Sequence, residues 1–373
     1  MKNIKKKVGI ITFHYAYNYG SKLQTYAMQT FLESQGYDAR IINYIYDFDA
    51  YQYHLFHWKS YKERPKRLIR DLLTLPQKWM RKICYLKFDK NYLNLTQEIH
   101  DDKELETLNK DFDAYIAGSD QIWNPACTCA VVPAYFLEFA AKTNIFRMSY
   151  APSIAHDEIE SQYVDAFQKG LENFDVISVR EETGRKLCQK LTNKKVTQIS
   201  DPVILLSKED YRKIEKPVKN IEQDEFIFVY TLEKNDKIDE YIQKLGMKHH
   251  LKIVYFSEFA KMKFGKNIYK YGPCQFLWLI RNARFVVTNS FHATAFSVIF
   301  QKQFLVFTTE KSGSRMCDFL KKFGLEDRIY TVKSEIETEI DKITLNKKLK
   351  EEQNRCRKFL NTTLENGIKI SKS

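Results

Sequence analysis

The chain lacks any apolar run near the ~20 residues that a membrane-spanning helix needs, so an integral membrane protein is not expected. The N-terminal apolar run, Val8–Phe13, is too short for a secretory signal. Cysteine is scarce and odd in number, at seven residues, which excludes a disulfide scaffold and favours reduced thiols in a cytoplasm. Glycine is also scarce, at 12 residues, and several of these fall in the motifs described below.

Signatures of metal and nucleotide sites are absent as well. Cys127 and Cys129 form a lone C-x-C, and no H-x-x-x-H pair accompanies it, so we expect no metal site. The chain has no G-x-G-x-x-G fingerprint, Walker A loop, G-x-S-x-G elbow or kinase signature. We therefore expect no bound cofactor.

The composition is that of a soluble globular protein of about two domains. Of the 373 residues, 44% are hydrophobic and 29% are charged, which argues against disorder, collagen or coiled coil. The formal net charge is +13. Such a charge favours polyanionic partners, which include nucleic acid, anionic lipid and phosphorylated substrates.

Short apolar strands alternate with amphipathic helices along the chain. A strand over Val8–Phe13, a helix over 21–35 and a strand over 39–44 predict a βαβ opening, with Ser21 and Gln24 as a capping box. Further strands are expected at 114–117, 145–150, 176–179, 196–199, 226–232, 253–256, 285–288 and 304–307. This alternation predicts an α/β protein with two doubly wound, Rossmann-like parallel sheets.

A polar, charged stretch over 207–223 is the best domain boundary. It separates a first domain, 1–206, from a second, 207–345, and residues 346–373 form a C-terminal helix and tail. The first domain carries a basic helical insertion at about 50–95, in which 59–90 has 11 Lys or Arg against 3 Asp or Glu. This stretch suits a solvated helical hairpin, peripheral contact with an anionic membrane or, less readily, nucleic acid.

In an open parallel sheet, ligands bind beyond the carboxyl ends of the strands. The loop after the first strand runs through Asn18 and Gly20 into a helix N-terminus, which suits either an anion site or a plain turn. The strand over 114–117 is followed by Ser119, Asp120 and further polar residues, which suit either a site or a capping turn.

Two later strand ends carry candidate charged groups. Arg180 follows the strand over 176–179 and could clamp an anion with paired donors, or form a surface pair with Glu181. His292 follows the strand over 285–288 and falls in the first turn of a helix, whose dipole attracts anions. A lone histidine is more often structural. The loop over 311–315 adds glycine and two cations that suit a phosphate.

Seven motifs in this order resemble the polysaccharide pyruvyl transferase family. They are NYGSKLQTYAMQ (18–29), AGSDQIWNP (117–125), SYAPS (149–153), ISVREETG (177–184), SDPVILL (200–206), GPCQFLWLIRNARFVVTNSFHATAF (272–296) and SGSRMCDFL (312–320). The resemblance implies a GT-B-like fold with the active site in the cleft between two domains. It also implies transfer of the carboxyvinyl unit of phosphoenolpyruvate to sugar hydroxyls, which gives a pyruvate ketal and phosphate.

The resemblance further implies an acceptor in a cell-surface polysaccharide or its lipid-linked precursor. The cysteine content favours a cytoplasmic enzyme, and the basic stretch over 59–90 suits peripheral contact with the inner membrane face. It maps His292 as general acid or phosphate ligand, Arg180 as anion clamp and Asp120 as candidate base. The donor-binding residues would be Ser290, Lys311, Gly313, Ser314 and Arg315. The acceptor-binding residues would be Asn18, Tyr19, Gly20, Gln24, Ser119, Gln121 and Trp123.

The chain departs from the family pattern at three places. Ala293 stands where many relatives have glycine, Ser290 where some have arginine, and Ser21 where alanine is common. Two other functions stay open at this point. One is a GT-B glycosyltransferase with a nucleotide-sugar donor, whose ribose would contact Glu310 or Asp318. The other is a non-enzymatic binder of acidic glycan or nucleic acid through the basic stretch.

Overall fold

A computed structural model describes residues 5–46, 65–221, 224–233, 235–257, 265–308 and 313–372. The chain forms two compact units. The first comprises Met1–Tyr53, Asp89–Leu206 and Glu351–Ser373, and the second comprises His54–Phe88 and Ser207–Lys350. The division after Leu206 coincides with the boundary expected from sequence. The C-terminal residues return to the first unit instead of standing apart.

The assignment of the basic insertion to the first domain is corrected by this division. The insertion follows the second strand in chain order, but residues 54–88 group with the second unit. The cause is a set of contacts at large sequence separation, such as the hydrogen bond from Arg81 to the Tyr269 carbonyl. Residues 50–64 of the insertion lie outside the described residues.

The first unit contains a five-stranded parallel sheet. Its strands are β1 (Lys7–Ile11), β2 (Asp38–Tyr44), β3 (Leu95–Ile99), β4 (Ala114–Ala117) and β5 (Phe146–Ser149), in the order β3-β2-β1-β4-β5. A parallel pair, β6 (Ile177–Val179) and β7 (Val196–Gln198), is bridged to β5 through Met148 and Val176. Chain order reverses between β1 and β4, and ligands bind at such a switch point.

The second unit contains another five-stranded parallel sheet. Its strands are β8 (Phe226–Tyr230), β9 (Lys252–Phe256), β10 (Lys266–Asn267), β11 (Phe285–Thr288) and β12 (Gln303–Val306), in the order β10-β9-β8-β11-β12. The switch point here lies between β8 and β11. Sequence patterning did not predict β3 or β10, because β3 is partly exposed at a sheet edge and β10 has only two residues.

Helices connect and cover these strands. In the described residues they are α1 (Tyr19–Ser34), α2 (Pro65–Tyr92), α3 (Asp102–Thr107), α4 (Pro125–Thr128), α5 (Ser161–Glu172), α6 (Glu182–Leu191), α7 (Lys208–Arg212), α8 (Asp236–His249), α9 (Pro273–Asn282), α10 (Phe291–Ile299), α11 (Gly313–Phe323) and α12 (Lys342–Ile370). In the part of the chain described, no helix combines the length and apolarity needed to cross a membrane. Each βα crossover delivers a helix N-terminus to the carboxyl edge of its sheet.

The start of α1 shows how local sequence positions one of these edges. Asn18 is the N-cap, since its Oδ1 accepts hydrogen bonds from the N–H groups of Gly20 and Ser21 at 2.8 and 3.4 Å. The helix ends before Gly36, whose φ of 91° lies in the left-handed region that glycine adopts at no steric cost. The expected capping box of Ser21 and Gln24 is wrong, because the helix begins two residues earlier.

Candidate functional site

The loops that follow β1 and β4 meet at the switch point of the first sheet. The Thr12 hydroxyl donates to the Ser119 carbonyl at 2.8 Å and accepts from Gln24 Nε2 at 2.9 Å. A Cβ at Gly118 would lie 3.0 Å from the Thr12 Cβ, so glycine permits this close approach. Side chains from β1, β4 and α1 are therefore held in one cluster.

Asp120 occupies the centre of this cluster in an unusual backbone conformation. Its φ is 71°, a region that aspartate tolerates better than most side chains and that recurs at functional sites. The Ser21 hydroxyl donates to Asp120 Oδ2, and the Gln121 N–H donates to Oδ1 at 2.9 Å. The Asp120 carbonyl accepts from the Ser153 N–H at 2.8 Å. The carboxyl group is thus oriented from both sides, as a positioned base requires.

Arg180 lies in a buried ion cluster beneath these loops. Its Nε donates to Glu181 at 2.8 Å and its Nη1 donates to Asp201 at 3.0 Å. Burial opposes the guanidinium charge, but Glu181, Asp201 and Asp120 outweigh that effect, so the pKa of Arg180 is raised. Two carboxylates already neutralise this arginine. The expected surface pair with Glu181 is wrong, because both residues are buried, and a substrate clamp would have to compete with these partners.

Hydroxyl groups tie the ion cluster to the loop that carries Asp120. The Ser119 hydroxyl lies 2.9 Å from Asp201 Oδ2, and the Ser153 hydroxyl donates to Glu181 Oε1 at 2.6 Å. Glu181 Oε2 and Gln24 Oε1 are buried and accept no hydrogen bond within the described residues. Buried acceptors without donors are costly, so both oxygens suit hydroxyl or water donors.

His14 and Lys22 complete this edge and were not selected from sequence. The His14 ring nitrogens lie 2.8 Å from Asn43 Oδ1 and 3.2 Å from the Thr12 carbonyl. Burial, and then the charge of Lys22, lower the pKa of His14 to about 4. Lys22 is itself buried and pairs with Asp89 at 2.7 Å. Lys22 lies within the first motif, but a buried lysine can be recognised only once its carboxylate partner is placed.

The second unit presents a comparable edge at its own switch point. Asn289 follows β11 and connects across to the loop after β8, since it accepts from the Leu232 N–H at 2.8 Å and donates to the Glu233 carbonyl at 3.1 Å. The Thr288 hydroxyl accepts from the Ser290 N–H at 3.0 Å. These bonds fix the turn that leads into α10.

Ser290 and His292 stand at the N-terminus of α10. Ser290 is the N-cap residue, and its side chain makes no capping hydrogen bond in the described structure. His292 is buried in the first turn, with its ring edge against Phe291 at 5.3 Å between centroids. The N–H groups at the start of a helix and the helix dipole attract anions. The structure therefore places Ser290 and His292 together at the start of α10, as the sequence predicted.

The remaining predicted donor residues lie at or before α11. Gly313 begins this helix, Arg315 is half-buried in its first turn, and Met316 lies 3.8 Å from the Thr294 hydroxyl of α10. The structure therefore brings α11 against the helix that carries His292. Lys311 and Glu310 lie outside the described residues, and only the backbone of Ser314 is described.

Three predicted acceptor residues have structural roles. Trp123 was expected to bind the acceptor, but it is a core residue. It is buried, stacks on Phe136 at 4.8 Å and donates its indole N–H to the Tyr135 carbonyl. Tyr19 is also fully buried. Asn18 uses its side-chain oxygen to cap α1, so the N–H of Gly20 is already bonded. Gln121 is half-buried, and its Oε1 accepts from Asn124 at 2.7 Å.

Comparison with curated protein sequences yields no match. Among solved structures, UDP-N-acetylglucosamine 2-epimerase from Rickettsia bellii aligns with a TM-score of 0.55 and 10% identity, covering 99% of this chain and 98% of that one. The Neisseria meningitidis UDP-GlcNAc 2-epimerase bound to UDP-GlcNAc aligns with a TM-score of 0.53 and 11% identity, covering 97% and 100%. These structures share the fold alone, and they confirm the expected GT-B-like α/β architecture.

The family comparison is more specific than the structural one. The profile of the polysaccharide pyruvyl transferases matches residues 18–311, which include the clusters around Asp120 and His292. A match over this much of the chain shows the family, and with it the general activity of pyruvyl transfer to polysaccharide. The protein belongs to the polysaccharide pyruvyl transferase family.

Proposed function

We propose that the protein transfers the carboxyvinyl unit of phosphoenolpyruvate to hydroxyls of one sugar, closes a pyruvate ketal and releases phosphate. The acceptor in this proposal is a cell-surface polysaccharide or its lipid-linked precursor. Family membership supports pyruvyl transfer to polysaccharide in general. The observation that carries the donor assignment is the N-terminus of α10, which combines Ser290, His292 and helix N–H groups at a sheet switch point.

Phosphoenolpyruvate carries a phosphate and a carboxylate, so its site needs two separate anion contacts. In this proposal the first turn of α10 binds one anionic group, and Arg315 and Lys311 bind the other. Cations and N–H groups that hold the departing phosphate stabilise the transition state as charge develops on it. No metal is invoked for these steps.

The reaction needs one acid and one base. His292 protonates the methylene carbon, which becomes a methyl group and leaves the enol carbon electrophilic. Asp120 takes the proton of the attacking sugar hydroxyl, and a C–O bond forms at that carbon. The C–O bond to phosphate then breaks, and a second hydroxyl of the same sugar forms the other C–O bond at that carbon. The proton of this second hydroxyl leaves with the phosphate.

The first unit supplies the acceptor side in this proposal. Gln24 Oε1 and Glu181 Oε2 are buried acceptors that suit the hydroxyls of a sugar. Arg180 acts here as a positioning residue, because its bonds to Glu181 and Asp201 hold the loops that flank Asp120. This role replaces the direct anion clamp expected from sequence.

Thermal unfolding at low salt, with phosphoenolpyruvate or with nucleotide sugars, tests the donor. A ligand at 100 times its dissociation constant adds about 2.7 kcal/mol of stability, which raises the melting temperature by a few degrees. We expect phosphoenolpyruvate to raise the melting temperature of the wild type. The double variant His292→Gln with Arg315→Ala should show no such rise. A rise with a nucleotide sugar and none with phosphoenolpyruvate would overturn the proposal in favour of glycosyl transfer.

A further inference from the structure

Helix α2 exposes an apolar face. Six large apolar side chains on this helix are between 47% and 79% exposed, out of eleven such exposed side chains in the described chain. The six are Ile69, Leu72, Leu73, Trp79, Met80 and Leu86. At about 100° per residue they share an arc of roughly 140°, which is one continuous face of the helix. Contiguous exposed apolar surface of this kind marks an interaction site.

The opposite side of α2 is held by polar groups. Asp71 is buried and pairs with Lys78 at 2.9 Å. Arg81 is buried, donates to the Tyr269 carbonyl at 3.0 Å and to the Tyr85 hydroxyl at 2.9 Å, and lies over the Phe256 ring. The buried side of α2 thus combines Tyr85 and Phe88 with paired charged groups, while the six apolar side chains face solvent. The packing of the unit therefore leaves the apolar face of α2 exposed.

The positive charge of α2 indicates what kind of partner could bind its apolar face. The helix contains eight Lys or Arg and two Asp. Both aspartates are paired, Asp71 with Lys78 and Asp89 with Lys22. A second copy of the same helix would bring like charges together, whereas an anionic lipid surface complements both the cations and the apolar face.

We propose that α2 docks the protein on an anionic lipid bilayer. Its apolar face enters the boundary between headgroups and acyl chains, with Trp79 at the depth that tryptophan favours. Lys87 and Lys90 are exposed and contact the headgroups. This inference uses no residue of the proposed reaction and does not depend on it, although it would bring the enzyme to lipid-linked acceptors.

The test is flotation of the full chain with phosphatidylcholine vesicles, with and without phosphatidylglycerol. We expect binding only to the anionic vesicles, and at least about ten-fold weaker binding for Leu73→Glu with Trp79→Glu, since each side chain loses its buried apolar area. Met247→Glu with Val332→Glu is the matched control, because both residues are exposed apolar side chains of the same unit on other elements. The control should bind like the wild type.

A second pair of variants tests the charge of this face and leaves its six apolar side chains unchanged. Lys87→Ser with Lys90→Ser should weaken vesicle binding about five-fold per lysine, while Lys186→Ser with Lys190→Ser on α6 should not. Absence of wild-type binding, or equal binding by all variants, overturns the proposal. Sedimentation velocity tests whether the chain instead self-associates through this face. A wild-type dimer that the double variant Leu73→Glu with Trp79→Glu converts to a monomer would overturn the proposal and assign the face to self-association.

Discussion

The Ser21 hydroxyl donates a hydrogen bond to the Asp120 carboxylate and so joins the first turn of α1 to the loop after β4. The two residues are 99 positions apart in the chain, and both are buried. The bond orients the carboxyl group that we propose as the base. It also means that Ser21, which stands where alanine is common in the family, contributes to the stability of the site.

Replacing Ser21 with alanine should therefore cost stability. The change removes a donor from a buried carboxylate, so we expect the free energy of unfolding to fall by about 1–3 kcal/mol, measured by urea denaturation. Ser34→Ala is the control, because that hydroxyl lies exposed near the end of the same helix and donates only to the Phe31 carbonyl. Equal effects of the two variants would show that the Ser21–Asp120 bond contributes nothing specific.

Replacing His292 with glutamine should remove activity and leave the fold intact. We expect the rate of phosphate release from phosphoenolpyruvate to fall at least ~10²-fold, since a positioned general acid contributes on that scale. His249→Gln is the matched control, because His249 lies in the same unit, pairs with Glu337 at 3.0 Å and takes no part in the proposed reaction. Full activity of the His292 variant would remove this residue from the proposed mechanism.

Replacing Arg180 with alanine distinguishes a positioning role from a clamp. The change leaves the carboxylates of Glu181 and Asp201 buried without their partner, so we expect a loss of about 3–5 kcal/mol in the free energy of unfolding. Arg185→Ala, which breaks only a half-exposed pair with Glu182, should cost less than about 1 kcal/mol. Unchanged stability of Arg180→Ala, together with lost binding of phosphoenolpyruvate, would restore the direct clamp.

Stability should also fall in mild acid because of His14. Its pKa is lowered to about 4 in the folded protein, against about 6.5 when unfolded, so below pH ~6.5 the unfolded chain binds the proton first. The contribution of this group is therefore lost as the pH falls through that window, by about 2 kcal/mol between pH 7.5 and pH 5. Denaturation of the wild type and of His14→Gln at both pH values measures it. An identical pH dependence of the two proteins would contradict the assignment.

Much of the first sheet followed from local patterning. The strand over 114–117 was predicted at its observed bounds, because a short apolar run is typical of a strand that is buried on both faces of a sheet. Motif order alone also identified the family, which the profile match confirmed. The position of Ser290 and His292 at the start of a helix could also be predicted from sequence, because a strand ends just before them and a helix follows.

The sequence by itself therefore determined the α/β class, the division after Leu206 and the strand ends where polar residues collect. Tertiary structure alone decided which of those residues face the site. Trp123 lies in the same motif as Asp120 but is a core residue, and Arg180, which follows another strand, belongs to a buried ion cluster. Tertiary structure also decided which side of α2 is buried, the one that carries Arg81, Tyr85 and Phe88. The physical reason is that partners far apart in the chain, such as Arg81 and Tyr269, are fixed only when the whole unit folds.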